Sequence, residues 1–234
     1  MSPGAAAVWP PLAWQVAYAD IAWVIMAAAA ALLLLPARWG GSGARAAVVV
    51  AIALAGAAVA LHAVGRTTAA SALGLALQQP SGWLTALALA SIARRFVPGR
   101  SAGPAVAAER PPVWPWPWAL VVATFGVVLA LDVLGIAVFG LVPVGLATQA
   151  TASWIAAVLA LLALGVAIVR PRQRVPALAL LAALALHAVL RLPTGNLWDA
   201  LIDPLLWGVS VVTVLRAGWS AARPGRTLAH NRAS

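Results

Sequence analysis

His187-Ala-Val-Leu-Arg-Leu-Pro-Thr-Gly-Asn-Leu-Trp-Asp-Ala-Leu-Ile-Asp-Pro-Leu-Leu-Trp207 is the stretch on which the fold is read. It sets a histidine, an arginine and two aspartates within about six helical turns of a very apolar chain. It also has an earlier echo: His62, Arg66, Pro80 and Trp83 recur as His187, Arg191, Pro204 and Trp207, at offsets of 124–125 residues. Both halves carry Ala-Leu-His-Ala-Val-x-Arg followed by Pro-x-x-Trp, and Pro98-Gly99-Arg100 recurs as Pro224-Gly225-Arg226. Alanine and leucine align by chance in such a chain; matched His, Arg, Pro and Trp positions point to an internal duplication.

Composition assigns the class. The chain is 64% hydrophobic and 9% charged, which is outside the range of soluble domains. All fifteen cations are arginine. A net charge of +10 would suggest nucleic acid in a soluble protein; here arginines beside anionic lipid account for it, and no nucleic-acid partner is expected. The absence of cysteine excludes disulfides, thiolate catalysis and Cys-ligated metals. Met1-Ser-Pro-Gly has no basic leader, so the first apolar segment is expected to stay as a span.

A span needs roughly 20 apolar residues. Seven are predicted, at about 13–36, 45–65, 70–97, 117–142, 151–169, 175–191 and 197–218. Pro36, Gly40-Gly41, Pro98-Gly99, Pro143, Pro171 and Pro193 punctuate them. In this layout thirteen of the arginines fall on one side and only Arg66 and Arg191 on the other. The positive-inside rule then puts the N-terminus outside and the C-terminus in the cytoplasm of a bacterial inner (plasma) membrane. The third segment is interrupted by Gln78-Gln79-Pro80-Ser81-Gly82. Residues 69–79 are expected either as a short helix before a break or as a segment lying in the interface. Trp114, Trp116 and Trp118 are expected as interfacial anchors.

The predicted architecture is all-α and polytopic, with parallel repeats in a 3+1+3 order. Residues 1–97 form a first three-helix unit, and 98–142 a cytoplasmic Pro/Trp-rich loop and linking helix. Residues 143–218 form a second three-helix unit, and 219–234 a disordered basic cytoplasmic tail. In topology alone this resembles the SWEET-type sugar transporters. Their Pro-Gln signature is absent from the first and fifth spans, Gln79-Pro80 being the reverse order, so no residue roles carry over. A retinal protein is excluded because no lysine is present for a Schiff base.

The candidate binding residues are the ionisable groups placed in the outer half: Asp20, Asp132, His62, Arg66, His187, Arg191, Asp199 and Asp203. Charges in a membrane are costly and pair or face water. His62/Arg66, His187/Arg191 and Asp199/Asp203 are i,i+4 pairs, each expected on one helix face, with Arg66 and Arg191 as counter-charges. The favoured reading is a protein that binds or translocates a small solute or ion through an outward-facing polar pocket. Asp20 and Asp132 are then ion- or proton-linked groups. The alternative is a non-catalytic subunit packed against a membrane-protein partner, with a membrane hydrolase third. No HxxxH or HExxH spacing, nucleophile motif or phosphate loop occurs, so no cofactor or metal is expected and enzymatic activity is the least favoured of the three readings. The bilayer is the one partner that composition requires.

Overall fold

The computed structural model describes residues 9–34, 77–96, 112–137, 139–146 and 150–222, with isolated helical positions at 50, 51, 54 and 73. Among these residues every regular element is helical. In chain order they are α1 (Leu12–Leu34), α2 (Gly82–Phe96), α3 (Trp116–Val133), α4 (Leu141–Leu146) and α5 (Ala150–Val169). A 3₁₀ turn (Pro171–Gln173), α6 (Arg174–Leu190), α7 (Leu197–Leu201) and α8 (Pro204–Ala221) follow.

Four described segments are long and apolar enough to cross a membrane: Leu12–Leu33, Trp116–Val133, Thr151–Val169 and Pro171–Leu190. Their outward faces are apolar as well. On α5, Leu161, Leu162, Ile168 and Val169 are 61–70% exposed. Such a surface suits a helix that faces lipid. The predicted 45–65 span and most of 69–77 lie outside the described residues, as do His62 and Arg66.

The helix edges have local causes. The α5–α6 hairpin turns at Pro171, and Arg174 Nε donates to the Ala167 carbonyl across it at 3.0 Å. Pro176 sits in the first turn of α6, where no intrahelical donor is needed. Helix α6 ends at Arg191 in the left-handed region (φ 56°), with its N–H bonded to the His187 carbonyl at 2.8 Å. Asn196 caps and starts α7, its side chain accepting from Trp198 N at 3.0 Å.

Two predicted spans are broken. The apolar run 117–142 ends as a helix at Val133, because the Asp132 carboxylate accepts the N–H groups of Phe139, Gly140 and Leu141 at 2.6–2.9 Å. Gly135 (φ 68°) and Gly140 (φ 67°) make the turns that bring those groups back. Phe125, Asp132 and Phe139 therefore do not share one helix face. The run 197–218 divides at Ile202-Asp203, which is extended, so Asp199 and Asp203 belong to separate helices rather than to one face.

The core is built from small residues and tryptophan. Ala119, Ala177, Ala183 and Ala200 are at most 1% exposed and let the backbones approach closely. A Cβ added at Gly82 would lie 3.2 Å from Ala183 Cβ and 3.3 Å from the Ala200 carbonyl oxygen. Trp83 donates its indole N–H to the Pro176 carbonyl of α6, and Trp207 to the Ala123 carbonyl of α3, both at 3.1 Å. Trp198 reaches the Leu141 carbonyl at 2.6 Å, and Trp114 the Ser210 hydroxyl at 3.2 Å. Trp114 and Trp118 meet the Trp83 ring edge-on, at centroid distances of 5.2 and 5.5 Å. Trp116 between them is 56% exposed.

Candidate functional site

Two helices begin inside the bundle rather than at its edge. Gly82, the first residue of α2, lies against Ala183, near the midpoint of the 17-residue α6. Trp207, in the first turn of α8, lies against Gly126, near the midpoint of the 18-residue α3. A helix start leaves bare N–H groups, which lipid and apolar side chains do not satisfy. Here one carboxylate serves both starts. Asp203 Oδ1 accepts from Leu205 N and Leu206 N at 2.8 Å, capping α8, while its Oδ2 accepts from Ser81 N at 2.7 Å, at the head of α2. The matched Pro80 and Pro204 of the two sequence halves thus flank a single shared anchor.

The cluster continues toward α1. Tyr18 donates its hydroxyl to the Pro80 carbonyl at 2.8 Å and lies 3.2 Å from Thr85 Oγ1. Thr85 Oγ1 donates to the Ser81 carbonyl at 2.9 Å, and Ser81 Oγ accepts from Leu84 N at 3.1 Å. Ser81, Thr85, Tyr18 and Asp203 are all buried, as is Asp20 two residues along α1 at 1% exposure. Buried groups satisfied in this way fix a unique arrangement of helices. In the sequence Ser81 stands out only as part of the Gln78–Gly82 break, and Thr85 not at all. The available signal was an Asp-Pro pair, which reads as N-cap and first helical residue, opposite a Pro-Ser pair in the other half.

The predicted site residues separate into groups. Asp132 holds the α3–α4 turn. Asp199 accepts from the Thr194 hydroxyl at 2.5 Å. Asp203 is taken up by three backbone donors. Backbone or hydroxyl donors thus bond all three carboxylates, and Arg66, the other expected counter-charge, lies outside the described residues. A helix start or loop supplies two or three N–H groups at fixed geometry without desolvating a guanidinium.

His187 and Arg191 do come together. Both line a cleft of about 540 Å³ between α5 and α6, with Ser153 on the facing helix. That volume is within the roughly 300–1,000 Å³ of small-molecule sites. The rest of the cleft is alanine and leucine: Ala152, Ala156, Ala157 and Ala160 on α5, and Leu181, Leu184, Ala185 and Ala188 on α6. Its polar groups are therefore gathered at one end. His187 is 4% exposed, and its Nδ1 is buried with no hydrogen-bond partner among the described residues. Ser153 was the member the sequence did not mark, because a lone serine near a helix start is ordinary. Among the described residues no group of three or more His, Asp or Glu is placed to hold a metal ion. Compared with protein-family models, curated proteins and solved structures, the chain matches none, so the site is read from its own residues.

Proposed function

We propose that the chain is a multi-pass protein of the bacterial inner membrane that binds, and in its working cycle translocates, a small solute at the α5–α6 cleft. The observation that carries this reading is the cleft itself: an arginine, a histidine and a serine converge at one end of a cavity of ligand size. A guanidinium favours carboxylate or phosphate groups, which it meets with two parallel N–H donors. The proposed orientation keeps the N-terminus outside, following the arginine distribution. Asp20, buried on α1, is the remaining candidate for an ion- or proton-linked group.

A second reading has its own support. Asp132, Asp199 and Asp203 are all bonded within the chain, as expected of a subunit whose polar groups serve assembly. The test is thermal stability of the purified protein across sugars, amino acids, organic acids and cations, since a ligand of the folded state raises the midpoint by mass action. A shift with organic acids that Arg191→Asn removes supports the binding reading. Equal midpoints with every compound, together with a stoichiometric co-purifying membrane protein, replace it with the subunit reading. Asparagine is chosen because it tolerates the left-handed backbone at position 191.

A further inference from the structure

The cleft is amphipathic along its length, and this narrows its ligand class; the inference rests on the binding reading above. Ser153, His187 and Arg191 occupy one end, and about two turns of α5 and α6 with only alanine and leucine side chains extend from it. The cleft is open sideways: Ser153, Ala157, Ala185 and Ala188 are exposed. The residues beside that opening are apolar and turned outward, with Val158, Leu161, Leu178 and Val189 at 49–78% exposure. Both helices are long and apolar enough to cross a bilayer, so the open side is where acyl chains lie. Two polar groups at that end lack partners among the described residues, the Arg191 guanidinium and the buried His187 Nδ1.

We infer that the cleft takes a single-chain anionic lipid, with an oxyanion head at Arg191, His187 and Ser153 and its chain along the Ala156/Ala160 and Leu181/Leu184 walls. A sugar or amino acid would leave those walls uncovered, whereas an alkyl chain covers them. The head chemistry is shared with small free anions, so the source is what the experiment separates.

The protein is placed in nanodiscs of zwitterionic phospholipid, and its unfolding midpoint is measured with oleate, lysophosphatidate, lysophosphatidylcholine, acetate and inorganic phosphate. Oleate and lysophosphatidate should raise the midpoint, while lysophosphatidylcholine, acetate and phosphate leave it unchanged. Arg191→Asn should weaken oleate binding at least tenfold, and Arg191→Lys should recover part of it. Ala157→Leu, which fills the chain end and leaves the head end intact, should weaken it too, and serves if the Arg191 variants fail to fold. A shift of equal size with acetate or phosphate overturns the lipid inference and leaves the solute reading standing. A shift with lysophosphatidylcholine equal to that with lysophosphatidate, or one unchanged in both Arg191→Asn and Ala157→Leu, overturns the head-and-chain assignment. No shift with any of the five overturns the inference, and the wider solute panel then decides the reading beneath it.

Discussion

Replacing Asp203 with alanine removes the acceptor shared by two helix starts, and the cost can be worked from the bonds it makes. Leu205 and Leu206 lose their cap, a change of about 1–2 kcal/mol at a helix N-terminus. Ser81 N, in a residue with no exposed surface, is left without an acceptor, at about 1–3 kcal/mol for a buried unsatisfied donor. The expected destabilisation is therefore about 2–5 kcal/mol. Asp203→Asn keeps one carbonyl oxygen for the α8 cap and turns an amide toward Ser81 N, so its loss should be confined to that bond, about 1–3 kcal/mol. Reversible unfolding in mixed detergent micelles, followed by circular dichroism, measures both. The order parent, asparagine, alanine is the signature of a two-ended anchor. An alanine variant within about 0.5 kcal/mol of the parent, the range of substitutions at featureless sites, would refute the reasoning.

Three further outcomes follow from the same geometry. Gly126→Ala places its Cβ on the Trp207 indole and should destabilise by about 1–3 kcal/mol; in a Trp207→Leu background the same change should cost far less, as a double-mutant cycle on the two sites will read. Trp83→Phe keeps the edge contacts to Trp114 and Trp118 and loses the bond to the Pro176 carbonyl, so a loss of about 1 kcal/mol is expected in the same micelle assay. Asp132→Asn turns a donor toward one or more of three N–H groups, and amide exchange at Phe139, Gly140 and Leu141 should speed up while that at α5 stays unchanged.

The long helices were legible because nothing interrupts them. Helices α1, α5 and α6 are continuous apolar runs with proline or arginine at their ends, and the predicted limits of 13–36, 151–169 and 175–191 differ from Leu12–Leu34, Ala150–Val169 and Arg174–Leu190 by at most two residues. The break after Val133 was hidden, because glycine is common inside membrane helices and Gly135 and Gly140 carry no mark of their positive φ. Asp199 and Asp203 were misplaced for a different reason. A four-residue spacing was read as helical register, although Pro204 behind Asp203 already argued for a new helix start. In the candidate site, His187 and Arg191 stood out because ionisable residues are rare in the chain. The alanine walls beside them did not, since alanine is everywhere in the sequence and only the packing of α5 on α6 makes some alanines line a cleft.

The Asp203 to Ser81 bond joins residues 122 positions apart. A ribosome makes Ser81 long before it makes Asp203, so α2 is emplaced with its leading N–H unanswered while six of the eight described helices are still to come. The half-built protein is therefore held together provisionally until α8 arrives and locks the head of α2. Chains stopped short of residue 203 should be recognised as unfinished and degraded, even with every earlier segment in the bilayer, and cellular half-life as a function of truncation point would trace that final closure.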